Sequence, residues 1–217
     1  MEIHKQGSYH HGQLRRALLD AALELIEEHG VNGFTLREVA RQAGVSHAAP
    51  YHHFADKSAL VEALAVESFQ ALASALQEAT AIPSTTALEH LMALGRAYVR
   101  FALEHPAAFR LMYRPELRTS LASEKEEQIQ SLSSIDKAGL EAYQLLIDGI
   151  VACQQSGSVA SGDPVPLTLT AWCTVHGLAT LLLDGSLGSL FREKRDLEHS
   201  DQLAKLVTEI LIHGLRA

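Results

Sequence analysis

Apolar residues recur every three or four positions along most of the chain, the spacing that places them on one face of a helix. The pattern predicts helical segments at about residues 13–29, 35–43, 57–82, 85–104, 106–113, 135–155, 165–183 and 200–215. No stretch alternates apolar and polar residues as a half-buried strand would, so we expect an all-α fold. Residues 1–12 are polar and expected to be mobile, and 120–134 are expected to form a solvated loop or a helix start.

The segment 35–44 carries start and stop signals for a short helix. Thr35 is a suitable N-cap with Glu38 three residues later, which is the spacing of a capping box, and Gly44 lies where a left-handed residue would end the helix. One side of this helix is apolar, formed by Leu36, Val39, Ala40 and Ala43. An amphipathic helix of this kind docks on a core.

A second short helix is expected directly after this turn. Ser46 is placed to cap it, and Val45, Pro50 and Phe54 can face the same interior as the first helix, as in a helix-turn-helix. The outward side chains are small or carry hydrogen-bonding rings: His47, Ala48, Tyr51, His52 and, near the end, His53. Such a face fits a DNA major groove, with Lys57 at the next helix start as a phosphate contact.

The sequence GVSHAAPYHHFADKSAL, which begins at Gly44, resembles the recognition-helix signature of TetR-type transcriptional regulators. The preceding LLDAALELIEEHGVNGFTLREVARQAG is similar to the first two helices of that family. Pro50 departs from the family pattern, which usually has a branched aliphatic residue there, and can tilt the reading helix. With the outward face described above, the resemblance implies a DNA-binding set of Thr35, Arg37, Ser46, His47, Ala48, Tyr51, His52, His53 and Lys57.

The charge distribution agrees with a DNA-reading surface only in part. The 217 residues carry a net charge of −8, but residues 1–57 hold six basic and seven acidic side chains, so most of the acidity lies beyond residue 57. Seven of the twelve histidines also lie in this first segment, which gains positive charge as the pH falls through about 6.5. The basic footprint is nevertheless weak for a DNA-binding protein.

The last two helical segments, 165–183 and 200–215, are apolar on several sides, more than one chain is expected to cover. We therefore expect a homodimer through these segments. Within the first of them, Trp172, His176 and Gly177 resemble the Trp-His-Gly (WHG)-type C-terminal domain of one TetR branch. Plain core packing also explains this motif, with His176 as a buried ring and Gly177 allowing close helix approach.

The resemblance further implies a small-molecule effector, unknown in identity, bound within the C-terminal helical part. Its binding would shift the long helix that begins at Lys57 and change the spacing of two reading helices. The aromatic or soft side chains that could line such a pocket are Phe101, Phe109, Met112, Tyr113, Tyr143, Trp172 and His176. Each of them, taken singly, is more often a core residue.

Other classes of protein stay open from the sequence. A metal sensor could use five histidines, although adjacent histidines diverge on a helix: His10, His11, His47, His52 and His53. A helical protein-interaction module without DNA reading would show the same periodicity. An enzyme is not expected, because the sequence lacks a nucleophile elbow, a phosphate-cradling glycine loop and paired carboxylates in an apolar stretch. No cofactor is expected either.

The predicted organisation is a helix-turn-helix DNA-binding domain at 1–57 and a helical ligand-binding and dimerisation domain at 58–217. Cys153 and Cys173 are far apart in apolar helical segments and are expected to be buried free thiols in a reducing cytosol. The N-terminus lacks an apolar leader, and the apolar run 167–183 is short for a membrane span. We expect a cytoplasmic regulator, a repressor on a pseudo-palindromic operator in double-stranded DNA, with no membrane partner.

Overall fold

The computed structural model describes residues 6–81, 86–114, 133–187 and 197–215. Their helices are α1 (Gln6–His29), α2 (Leu36–Gln42), α3 (Lys57–Ala81), α4 (Ala87–Glu104), α5 (Pro106–Met112), α6 (Ser134–Gln155), α7 (Pro164–Leu183) and α8 (Leu197–Leu215). A 3₁₀ turn, η1 (Ala49–His52), lies between α2 and α3. No strand occurs within these four ranges, and the prediction of an all-α fold is confirmed.

Most helix ends lie within two residues of the predicted ends, but two helices begin earlier. Helix α1 begins at Gln6 rather than near Gln13, so the predicted start of this helix is wrong. Helix α8 begins at Leu197 rather than Ser200. Apolar periodicity marks only the buried part of a helix, and polar first turns leave no such signal. The predicted loop at 120–134 lies outside the described residues except for Ser133, which caps α6, and Ser134.

Helix α2 is fixed at both ends by its own sequence. The Thr35 hydroxyl accepts a hydrogen bond from the Glu38 backbone N–H at 3.3 Å, and the Glu38 carboxylate accepts one from the Thr35 backbone N–H at 2.8 Å. These bonds form the predicted capping box. The Thr35 hydroxyl also donates to the Glu38 carboxylate at 2.8 Å, and this bond, together with the one from the Thr35 N–H, lowers the pKa of Glu38. After the helix, Gly44 has a φ of +68°, which favours glycine.

The second element of the helix-turn-helix is shorter than predicted. Only Ala49–His52 forms a helical turn, of the 3₁₀ type, and its N-cap is Ala48 without a side-chain bond, so the predicted cap at Ser46 is wrong. The Ser46 carbonyl instead accepts from the Ala49 N–H at 3.0 Å. Pro50 lies in the first turn, where the missing N–H of proline costs least. Its side chain is buried, as predicted. The reading element is therefore a single tight turn.

Helix α3 lies at the centre of the molecule. It packs against α4, α5 and α6, and its buried residues belong to a core cluster that also includes Leu18 of α1 and Val39 of α2. Arg15 and Arg16 of α1 form ion pairs with Glu67, which lies near the middle of α3. The first two helices are thus joined to α3 by apolar contacts and by charge.

Two helices, α3 and α7, are long and apolar enough to span a membrane by length and composition. Half of the most apolar part of α3 is buried inside the chain, as expected for a core helix, whereas only 22% of that of α7 is buried. Apolar surface therefore remains on α7, where Val165, Leu169 and Leu181 are about half exposed.

Candidate DNA-reading surface and ligand cavity

Most of the side chains predicted to read DNA occupy exposed positions on α2, on the turn after it and on η1. The exposed members of the set are Thr35, Arg37, Ser46, His47, Ala48, Tyr51 and His52. Tyr51 is 55% exposed, which is unusual for a large aromatic side chain next to a packed core. The arrangement leaves hydrogen-bonding rings and one guanidinium available to a partner.

Two members of the set are held more deeply. His53 is half-buried, and its ring centroid lies 6.3 Å from that of Phe54. The Lys57 ammonium donates hydrogen bonds to the carbonyls of Phe34 at 2.7 Å and Asn32 at 3.4 Å, and it lies 4.2 Å from the Phe34 ring centroid. Burial lowers the pKa of Lys57. Lys57 therefore fixes the loop between α1 and α2, and two of its three N–H donors are already used.

A cavity of about 290 Å³ lies among α3, α4, α6, α7 and α8, beside the end of α5. Five aromatic side chains line it: Phe69, Tyr98, Tyr113, Tyr143 and Trp172. The other lining residues are Asp136, Thr208 and aliphatic residues or glycines. The volume is at the small end of the range for small-molecule sites, and the largely apolar lining is typical of them.

Tyr98 is the centre of a hydrogen-bonded cluster at the aromatic end of this cavity. Its hydroxyl lies 2.8 Å from the Tyr113 hydroxyl, 2.8 Å from Nδ1 of His176 and 3.4 Å from Nε1 of Trp172. Burial is the main cause that raises the pKa of Tyr98, and burial lowers the pKa of His176. Both groups are therefore uncharged near neutral pH, so the cluster is polar but carries no charge.

The structure brings only part of the predicted ligand set to the cavity wall. Tyr113, Tyr143 and Trp172 line the cavity. Phe101, Phe109 and Met112 are buried in the core, and Phe109 packs behind the cavity against the rings of Tyr98 and His176. His176 does not line the cavity but lies behind it, hydrogen-bonded to Tyr98 and in ring contact with Tyr113 and Trp172.

Sequence reasoning missed Phe69, Tyr98 and Asp136 as cavity residues. Phe69 shares an i, i+3, i+7 stripe with Leu72 and Leu76, all of which line the cavity, and this spacing could have identified it. Asp136 left no such signal, because an acidic residue in the first turn of a helix is ordinary.

Within the described ranges, no group of three or more histidine, cysteine or acidic side chains could hold a metal ion. The side chains of His10 and His11, two of the five histidines considered for a metal site, lie outside those described. Both cysteines are free thiols; Cys153 is buried as predicted, but Cys173 is exposed, so the prediction of a buried thiol is wrong there.

A capped helix, a tight turn with exposed rings and a further helical part with an apolar cavity define a helix-turn-helix protein with a helical C-terminal region. Residues 18–64 match the family model described as bacterial regulatory proteins, tetR family, and residues 91–205 match that of the tetracyclin repressor-like C-terminal domain. The chain belongs to the TetR family of transcriptional regulators. Proteins of this family are soluble DNA-binding transcription factors and not enzymes. The matches do not distinguish a WHG-type branch.

Curated relatives resemble the chain over a quarter to about a third of its length. It is 45% identical over 53 residues to the tetracycline repressor protein class D of Escherichia coli, a match covering 24% of each chain. It is 40% identical over 81 residues to the HTH-type transcriptional regulator BetI of Escherichia coli, covering 37% of this chain and 42% of BetI. The matched regions thus span less than half of these relatives.

Solved structures extend the similarity to nearly the whole chain. A protein with unknown function from Rhodococcus sp. RHA1 is 33% identical, with 98% of this chain and 100% of that one covered and a TM-score of 0.76. The fatty acid degradation regulator FadR from Bacillus halodurans is 20% identical, with 93% and 96% covered and a TM-score of 0.73, and shows the shared fold.

Proposed function

We propose that this protein is a one-component transcriptional repressor that binds a pseudo-palindromic operator as a homodimer and is released by a small ligand. The observation that carries the proposal is the course of α3. Its first residue, Lys57, is hydrogen-bonded to the loop before α2, and its later residues Phe69, Leu72 and Leu76 line the cavity. One unbroken helix thus belongs to both sites. The relatives of classes D and H are named as repressors.

In this proposal, residues 1–57 read DNA and residues 58–217 bind the ligand and the second subunit. His47, Ala48 and His52 are assigned to base edges, because they are exposed on the turn and on η1. Tyr51, His53 and Lys57 are assigned to phosphates, with Thr35, Arg37 and Ser46 beside them. Lys57 would use its third N–H for a phosphate while it holds the loop.

The homodimer is supported by apolar surface that the single chain leaves open. Leu169 and Leu181 on α7 and Leu206 and Ile210 on α8 are 45–62% exposed. A Cβ atom added at Gly177 would meet no atom within 4 Å, and the close approach predicted at this glycine therefore has no partner helix in the described part of the same chain. A second copy packing on α7 and α8 would cover both features, in a symmetric contact. Two reading turns would then face successive major grooves about 34 Å apart.

Release by a ligand needs a path from the cavity to the reading surface. Besides α3, the short helix α5 packs against α1 and α3, and Tyr113 at its end lines the cavity. A ligand that binds better to a second arrangement of these helices would shift the population toward it. With this role we propose a cytoplasmic location, where the operator is.

The test is fluorescence anisotropy of the purified protein on labelled double-stranded DNA from upstream of its own gene, against a scrambled duplex at several salt concentrations. Selective binding with a steep salt dependence is expected, because phosphate contacts release counterions. The control variant Lys137→Ala removes an exposed positive charge on α6, outside the proposed dimer contact, and should bind as the wild type does. Equal affinity for both duplexes, at every salt concentration, would contradict sequence-specific reading.

A further inference from the structure

The cavity has an uneven charge pattern. Among the described residues that line it there is no lysine, arginine or histidine, and the only ionisable carboxyl group is that of Asp136. The aromatic end is polar, but Tyr98 and His176 are uncharged near neutral pH because burial raises the pKa of Tyr98 and lowers that of His176. An anionic ligand would therefore find no positive side chain on this wall and would meet one negative group.

Asp136 is not free to act as a counterion for a cation. Its carboxylate accepts a hydrogen bond from the Ser133 hydroxyl at 2.6 Å, and the Asp136 backbone N–H donates to the same hydroxyl at 3.1 Å. It lies in the first turn of α6, where the helix dipole also favours its negative charge. The Ser133 hydroxyl and the helix dipole partly offset the charge of this carboxylate, so it is a weak counterion for a cation, whereas an anion finds no positive side chain among the described lining residues.

The remaining polar contacts suit a single oxygen atom on a ligand. Thr208 does not offer a hydrogen-bond donor to a ligand, because its hydroxyl donates within α8, to the carbonyl of Ala204 or of Lys205. The indole N–H of Trp172 points to the Tyr98 hydroxyl over 3.4 Å, which is long for an N–H···O bond. A ligand oxygen could take over this donor at little cost, while the rings of Tyr143 and Trp172, 5.9 Å apart, supply apolar area.

We infer that the effector of this cavity is an uncharged, mainly apolar molecule with a ring and one hydroxyl, ether or carbonyl oxygen, and that Asp136 excludes carboxylates and other anions. The inference rests on the proposed ligand site and names the chemistry of its ligand. The aliphatic walls of α3 and α4 take the apolar body, and the Trp172 indole takes the oxygen.

Three probes with the same body and different charges test this directly: 4-phenylbutanol, 4-phenylbutyrate and 4-phenylbutylammonium. Trp172 is the only tryptophan of the chain, so its fluorescence reports binding to the cavity without DNA. The alcohol should bind at least about tenfold more tightly than the carboxylate and more tightly than the ammonium, since an unpaired buried charge is strongly disfavoured. A carboxylate or an ammonium that binds as well as the alcohol, or an alcohol that does not bind, would overturn the inference.

A matched pair of variants tests the role of Asp136. In Asp136→Asn the ratio of the affinity for the alcohol to the affinity for the carboxylate should fall by about threefold or more, because a nearby like charge has been removed. Glu141→Gln removes an exposed carboxylate of the same helix and should leave this affinity ratio unchanged. Affinity for the alcohol, measured in each variant, shows that the cavity is intact. The same ratio of alcohol affinity to carboxylate affinity in the wild type and in Asp136→Asn would refute exclusion of anions by the Asp136 carboxylate.

The DNA experiment separates this inference from the proposed function. If the alcohol binds the cavity but leaves operator binding unchanged, the ligand class stands and release by ligand fails. If the carboxylate releases the operator and the alcohol does not, the repressor model stands and the ligand class fails. Ala142→Phe, which fills a buried wall position, should abolish alcohol binding while operator binding is kept, and alcohol binding by this variant with unchanged affinity would place the ligand elsewhere.

Discussion

The hydroxyl of Tyr98 on α4 lies 2.8 Å from Nδ1 of His176 on α7. This contact joins two helices far apart in sequence, and the same hydroxyl also meets Tyr113 at the end of α5. The Tyr98 hydroxyl of α4 is therefore hydrogen-bonded both to the end of α5 and to α7. Because Tyr98 itself is buried, these hydrogen bonds connect the three helices at the inner side of the cavity wall.

Replacing Tyr98 by phenylalanine should lower the free energy of unfolding by about 1–3 kcal/mol, since buried partners lose their hydrogen bonds. Urea denaturation followed by circular dichroism measures the change. Tyr51→Phe is the matched control, because Tyr51 is 55% exposed and its loss should change stability by less than about 0.5 kcal/mol. Similar stability of the two variants would contradict a structural role for the Tyr98 cluster.

Stability should depend on pH through His176. Burial lowers the pKa of the folded His176 below its ordinary value, so the unfolded chain takes up the proton first as the pH falls. The stabilising contribution is complete above the unfolded pKa of about 6.5 and is lost progressively as the pH falls below it, toward the folded pKa. The variant His176→Gln should show a smaller loss of unfolding free energy between about pH 7.5 and 5.5 than the wild type. His213→Gln, at an exposed site, should keep the wild-type slope.

Two glycines should respond oppositely to alanine. A Cβ atom at Gly95 would lie 2.7 Å from Cγ2 of Thr208, so Gly95→Ala should lower the unfolding free energy by about 1–3 kcal/mol through overpacking between α4 and α8. At Gly177 the added atom meets open space, so Gly177→Ala should stabilise the isolated chain by up to about 1 kcal/mol. If a second subunit packs there, as proposed, the same change should weaken the dimer. Thermal unfolding at several protein concentrations distinguishes the two effects.

A charge on the open face of α8 should break the proposed dimer. Ile210 is 62% exposed, and Ile210→Glu would place carboxylates of both subunits at the contact. Sedimentation equilibrium at micromolar concentration should show a dimer for the wild type and a monomer for the variant. Leu140→Glu, at a position 49% exposed on α6, should remain dimeric. A monomeric wild type would contradict the dimer.

Substitutions at Lys57 and His47 should affect DNA binding differently. Lys57→Ala removes a phosphate contact and the two hydrogen bonds to the loop before α2, so affinity should fall about equally for all sequences and stability should fall by about 1 kcal/mol. His47→Ala, at an exposed site, should leave stability unchanged and change the preference among operator variants. Anisotropy on a panel of duplexes measures both. Uniform loss of affinity in both variants would refute the separation of roles.

Local signals predicted the architecture well because they depend on neighbouring residues. The Thr35–Glu38 capping box, the left-handed Gly44 and the buried Pro50 could all be inferred from spacing alone. The length of the reading helix could not, because the tight 3₁₀ turn at 49–52 reflects the burial of Pro50 and Phe54 and the packing of this turn on α2 as well as local propensity.

The cavity was harder to predict from the sequence, because its wall combines residues from helices that are distant in the chain. Tyr113, Tyr143 and Trp172 were identified by type, but type does not distinguish a cavity wall from the core behind it, where Phe109 and Met112 lie. Lys57 also lies differently from the simple phosphate contact expected, since its bonds to the carbonyls of Asn32 and Phe34 depend on how a loop 23 to 25 residues away folds back.

The uninterrupted course of α3 has a mechanical consequence. Phe69 lies twelve residues after Lys57, a distance of roughly 18 Å along a helix that rises 1.5 Å per residue. A tilt of about 10° around Phe69 would therefore carry Lys57 sideways by about 3 Å, the length of one hydrogen bond. In a symmetric pair the two displacements add, to about 6 Å against a groove repeat of about 34 Å. A helix of this length acts as a lever arm, so a small rearrangement around a small molecule is enough to put two reading turns out of step with the DNA.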